Sequence, residues 1–152
     1  MWPFRRKRIE EQAPKSQPVP SETAAPRVTD ASVGQLLEYL PAFERGEFAR
    51  AVESYHETGQ YPPEIRAFFE AFGRTGLGVE DFDCIAWMRE EGRTILTEEG
   101  IARADFLQLR RVLSYCGTAD RFQGGFLPKV FASGLVEAVL RRMSQLRLDA
   151  SA

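Results

Sequence analysis

An all-α fold follows from three observations. Apolar side chains recur at helical spacing in four separate runs: Val33-Leu36-Leu37-Leu40, Ile65-Phe68-Phe69-Phe72, Leu109-Val112-Leu113-Cys116 and Val136-Val139-Leu140-Met143. Residues that start or stop helices, chiefly Pro, Gly, Asp and Thr, stand between those runs. No stretch alternates apolar and polar side chains as a half-buried strand does. The expected architecture is a compact bundle of five to seven short helices, with a C-terminal helical hairpin and a disordered N-terminal arm.

In order along the chain, residues 1–30 read as a basic tip and a Pro-rich linker. Residues 9–30 hold four prolines and almost no large apolar side chain, so burial cannot offset chain entropy there. As a flexible coil this linker spans roughly 25 Å. The helical domain is expected over residues 31–148. Asp30 is a good N-cap for a first helix, which Pro41 should stop because the residue before a proline avoids helical angles. Phe48, Val52 and Tyr55 mark a second helix ending by Gly59. Pro62-Pro63 opens a third, whose Phe-rich stripe is the expected centre of the core and which Gly73 should terminate. The glycine-rich stretch from Gly73 to Asp83 is irregular, and it is no phosphate loop because no strand precedes it and no Gly-Lys-Ser/Thr follows. Ile85, Trp87 and Met88 suggest a short helix with Gly92 beyond its end, and Thr97 caps another segment.

The hairpin is the most strongly specified part. Asp105-Phe-Leu-Gln108 has the form of a capping box, in which the Asp oxygen accepts from the first turn and the Gln side chain reaches back. The helix it opens should stop at Gly117. The turn Asp120-Arg121-Phe122-Gln123-Gly124-Gly125 follows, with Asp120 capping the next segment, Arg121 bonding carbonyls of the previous one and Phe122 plugging the turn into the core. Pro128 suits a first helical turn, and after a break at Gly134 the last stripe runs to Leu146.

Several of these residues carry a resemblance. From Tyr39-Leu-Pro-Ala-Phe-Glu44, through Phe82-Asp83 and Trp87, to Leu109-Arg-Arg-Val-Leu113, Asp120-Arg-Phe-x-x-Gly125, Phe131-x-x-Gly134 and Val139-Leu-Arg-Arg-Met143, the chain resembles domain of unknown function 6508, an uncharacterised family of small bacterial proteins. The resemblance covers about residues 33 to 146. Three positions depart from the family's pattern: Cys84 where an aromatic is usual, Thr118 where a basic residue is usual and Gly124 where an acidic one is usual. If the family's turn works as a charged cluster, this member has lost part of it. The resemblance implies no activity, ligand or catalytic residue.

Composition narrows the function classes. The chain has 152 residues and is 43% hydrophobic, which fits one globular domain with a short arm. No apolar run approaches the length of a membrane span. The N-terminus has basic residues but no apolar segment after them, unlike a secretory signal. Cys84 and Cys116 are far apart and outside any CxxC motif, which fits free thiols and a cytoplasmic location. The net charge of −2 conceals an uneven distribution, because residues 31–105 carry 7 basic against 15 acidic side chains and residues 106–148 carry 7 against 2. Either the acidic and basic halves face each other, or the basic face is open to a phosphate backbone or an acidic protein.

Candidate chemistry is sparse. His56 is the only histidine, and nothing near it in sequence supports Ser/His/Asp or Cys/His catalysis. Glu80, Asp81 and Asp83 group three carboxylates, but the spacing is not that of a calcium loop and capping accounts for Asp83. No catalytic residue, metal site or cofactor is expected. Arg121 with Arg110, Arg111 and Lys129 forms a candidate anion site around Asp120, and Arg141 and Arg142 are the residues an acidic partner would meet. At the tip, Trp2, Phe4, Arg5, Arg6, Lys7 and Arg8 are either a solvated tail or a weak contact with the inner face of an anionic membrane, although Pro3 opposes a surface helix. Three functions are thereby open: a non-catalytic protein-interaction domain, a nucleic-acid-associated protein using the basic hairpin, and a small enzyme. The first asks least of these residues, with another protein as partner.

Overall fold

The computed structural model describes residues 30–151, with side chains described through Asp149. The basic tip with its candidate membrane contact, and the Pro-rich linker, lie outside the described residues. Those residues form helices and connecting turns without strands. In chain order the helices are α1 (Asp30–Leu37), α2 (Leu40–Glu44), α3 (Glu47–Thr58), α4 (Pro63–Thr75) and α5 (Cys84–Trp87). A π-helical turn (Met88–Gly92) joins α5 to α6 (Arg93–Ile95), and α7 (Glu98–Arg103), α8 (Phe106–Phe122), α9 (Phe126–Ser133) and α10 (Leu135–Ser151) complete the domain. Among the described residues, no helix is long and apolar enough to cross a membrane.

The helical stripes meet in one core. Ile65 and Phe68 of α4, Leu109, Val112, Leu113 and Cys116 of α8, and Val136, Val139, Leu140 and Met143 of α10 are fully buried. Aromatic rings knit the N-terminal helices to α9: Phe43 stacks on Phe48 at 4.3 Å, and Phe131 lies 5.0 Å from Phe48 and 5.7 Å from Phe68. Such offset and edge contacts add roughly 0.5–1.5 kcal/mol per pair beyond the area they bury. A second aromatic chain, Phe82, Trp87, Tyr115 and Phe126, runs along the other side of α8 with ring separations of 5.7, 5.4 and 6.0 Å.

Polar contacts fix the ends of the elements. Asp105 and Gln108 form the full capping box of α8, with both bonds at 2.8 Å. Thr97 accepts from the Gly100 N–H at 2.8 Å and Asp83 from the Ala86 N–H at 3.0 Å, so both act as N-caps. Gly59 ends α3 with a left-handed φ of 75°.

Several helix ends differ from the sequence expectation. Pro41 occupies the first turn of α2 instead of ending α1, which stops at Leu37; its fixed φ suits a helix start as well as it opposes continuation. Gly73 lies inside α4, and Gly76, with φ 77°, is the cap that ends it. Gly92 is not beyond a helix end but buried inside the π turn, where a β-carbon would come within 2.9 Å of the Trp87 ring. Gly117 does not stop α8, which continues to Phe122. There the Phe69 ring packs close, its Cδ1 3.4 Å from where a β-carbon would be, which is ordinary contact distance. The C-terminal hairpin consequently has the short helix α9 set between its two long arms.

Candidate functional site

The last turns of α8 stand between two surface recesses. Ser114, Gly117, Thr118 and Arg121 recur at helical spacing and face one side. Tyr115, Thr118, Ala119 and Phe122, offset by one residue, face the other on the adjoining side of the helix, and Thr118 lies on the edge the two share.

On the first side is a cleft of about 610 Å³ between α4 and α8. Arg66, Phe69, Glu70 and Gly73 line it from α4, also at helical spacing. Tyr61 and Leu127 belong to its lining, and so do Gly78 and Val79 of the irregular loop. That loop is tied to α8: the Val79 N–H donates to Ser114 Oγ at 2.9 Å, and Arg110 Nε donates to the Leu77 carbonyl at 2.8 Å. Asp120 organises the opposite end. Its Oδ1 accepts from the Leu127 N–H at 2.9 Å, across the turn and into the first turn of α9, and its Oδ2 accepts from the Tyr61 hydroxyl at 3.2 Å. Burial first, and then the charge and hydrogen bond of Asp120, push the Tyr61 phenol well above its ordinary value. The Arg66 guanidinium sits 5.1 Å from the centre of the Tyr61 ring, in cation–π range.

On the second side is a groove of about 570 Å³ between α8 and the α5 segment. Cys84, Met88, Tyr115 and Ala119 are in its lining, which is mostly apolar. Ile85 and Phe122, both at the groove, are 72% and 84% exposed. Phe122 was expected to plug the turn, yet it points outward. The turn after it is fixed by Gly125, with φ 84° and the Tyr55 hydroxyl 2.8 Å from where its β-carbon would be, and by the Asp120 cap on Leu127. Arg89 and Arg93 line the same groove as exposed cations without a hydrogen-bond or ion-pair partner among the described residues.

The basic residues named from the sequence do not converge. Arg110 is bound to the carbonyls of Leu77 and Gly78, and Arg142 to that of Ala104 at 3.0 Å. Arg111 lies 3.4 Å from Glu91, whose same oxygen accepts from the Trp87 indole at 3.1 Å. Arg141 pairs with Glu137 on its own helix and with Glu44 at 3.6 Å. Lys129 is exposed on α9 and lies outside the cleft lining. Arg121 does line the cleft beside Asp120, but it bonds no carbonyl of α8 and has no partner among the described residues. His56 is exposed on α3 with its ring 5.8 Å from that of Tyr55. Among the described residues no three His, Cys, Asp or Glu side chains converge on a common point. Sequence reasoning missed the exposure of Ile85 and Phe122 and the part played by Tyr61, Arg66 and Gly73. The one available signal was that Ile85 falls off the stripe that buries Trp87.

These features define a small all-α domain with an apolar groove and a cleft bearing charged groups on adjoining faces of one helix end. The model of a family of unknown function, DUF6508, matches residues 28–149, and the chain belongs to that family. No curated protein and no solved structure gives a match.

Proposed function

We propose that the domain is a non-catalytic protein-interaction module and that its docking surface is the groove flanked by Ile85 and Phe122. The observation that carries this reading is the exposure of those two large apolar side chains, 72% and 84%, on either side of one apolar recess. Burying a side chain of that size is worth about 1.5–3 kcal/mol, so a partner that covers both gains an anchor at each edge. Arg89 and Arg93 on the rim select the partner's charge. The occupant is a protein segment with apolar anchors and acidic flanks. The nucleic-acid reading has less support, because Arg110, Arg111, Arg141 and Arg142 are already engaged within the domain.

The test is affinity capture from the native host with the whole chain, alongside Phe122→Ala, Ile85→Ala and Arg89→Glu/Arg93→Glu forms whose melting temperatures match the parent. The module reading expects one protein retained by the parent and weakened at least about tenfold by each change, and its binding protects the Cys84 thiol in the groove from alkylation. Equal retention by the variants, loss of a self-associated species in their place, or recovery of nucleic acid overturns it.

A further inference from the structure

We propose that the cleft between α4 and α8 binds a small anion carried on a flat apolar body, an aromatic carboxylate or an aromatic phosphate ester. This site is separate from the docking groove and stands or falls independently of it. Its volume, about 610 Å³, lies within the range of small-molecule sites. Phe69, Phe72, Tyr61 and Leu127 supply apolar and aromatic surface for a ring. Arg121 supplies a guanidinium with no partner among the described residues, and Arg66 supplies a second, engaged only with the face of Tyr61. Forked guanidinium donors suit carboxylate and phosphate oxygens. Both Asp120 oxygens accept hydrogen bonds, from Tyr61 and Leu127, which holds this carboxylate at the turn end of the cleft; its charge remains, and the two guanidinium groups have to outweigh it.

A second observation points the same way. A β-carbon at Gly117 would at least touch the Phe69 ring, at 3.4 Å, whereas at Gly73 no packing contact calls for a glycine. It is inside a helix, has no positive φ, and a β-carbon there would meet nothing within 4 Å. Glycine weakens a helix interior relative to alanine. Gly73 follows Arg66, Phe69 and Glu70 along the face of α4 that lines the cleft, so any longer side chain would stand in the opening. The helix forgoes stability at this position, and the cleft stays clear. Glu70, a rim carboxylate without a partner among the described residues, disfavours an anion as Asp120 does but can be replaced without losing a cap, and so gives the test its sign.

Benzoate and phenyl phosphate are titrated into the full chain, with amide chemical shifts as the readout. Saturable shifts are expected at Gly73, Gly78, Val79 and Thr118, and the tighter of the two probes identifies the head group. Arg121→Gln should weaken binding at least about tenfold, and Glu70→Gln should tighten it. Gly73→Leu should abolish binding while holding or raising the melting temperature, which separates a blocked cleft from an unfolded chain. The proposal is overturned by the absence of saturable shifts at millimolar probe, by parental binding in Gly73→Leu or Arg121→Gln, or by weaker binding in Glu70→Gln, which would mark a cationic or zwitterionic ligand.

Discussion

A methyl group on Gly100 would sit 2.2 Å from the Thr94 carbonyl oxygen and 2.6 Å from that of Ile95. The chain doubles back so closely after α6 that only a hydrogen fits, and backbone atoms cannot swing aside as a side chain would. Gly100→Ala should therefore lose about 3 kcal/mol or more in a denaturant melt; a parental midpoint would show that the corner relaxes freely. Cys116 makes a different prediction. Burial pushes its thiol up to about 12 from an ordinary 9.0, so the folded state holds the proton more tightly than the unfolded state. The stability tied to this neutral thiol is whole below pH 9 and fades as the pH climbs to 12. Stability measured across that window should fall less steeply in Cys116→Ala than in the parent. A thiol reagent should modify half-buried Cys84 in the folded protein and reach buried Cys116 only on unfolding.

At the scale of elements, Asp120 joins three of them: α8, which carries it, α9, whose Leu127 N–H it caps, and the segment bearing Tyr61. Asp120→Ala removes the cap and leaves a half-buried hydroxyl without its acceptor, which should cost about 2 kcal/mol and lower the melting temperature by several degrees. Unchanged stability with tighter phosphate binding would instead give Asp120 an electrostatic role toward an anion. Gly73→Ala should move the other way, raising stability by roughly 0.5–1 kcal/mol. How legible these elements were in the sequence depended on the reach of the forces that set them. The capping box of Asp105 and Gln108 and the stripe of Ile65, Phe68 and Phe72 were readable because their partners lie within two turns of one helix. The boundaries at Gly73 and Gly117 were not, since a lone glycine inside a helix costs only about 1 kcal/mol and contacts beyond it, buried Thr75 after Gly73 and the Asp120 cap after Gly117, hold the next turn. Phe122 was misplaced because an apolar residue at a turn reads as core, while the contacts that surround this turn, such as Tyr55 beside Gly125, come from 70 positions away. At the candidate site Arg121 and Asp120 could be named in advance, but Tyr61, Arg66 and Gly73 reach them only through the packing of α4.

At the scale of the whole molecule, the acidic and basic parts of the chain meet at several seams. Arg111 with Glu91 and Arg141 with Glu44 link the later helices to earlier ones, and Arg147 forks onto both oxygens of Asp30 at 2.8 and 2.9 Å, joining α10 to α1. The Asp30 side chain is 75% exposed, so this clasp contributes only on the order of 0.5 kcal/mol. Arg147→Gln should lower the melting point slightly at low salt and not at all at high salt, where screening has already removed the attraction. Thr118 belongs to the lining of both recesses and so lies on the edge that the two share along the end of α8. If both recesses take their proposed occupants, any linkage across that edge is mutual: whatever factor a small anion imposes on the affinity of a protein partner, that partner imposes on the anion. On the two proposals together, the domain would report the presence of a metabolite to a larger assembly, and residue 118 is where the strength of that message would be set.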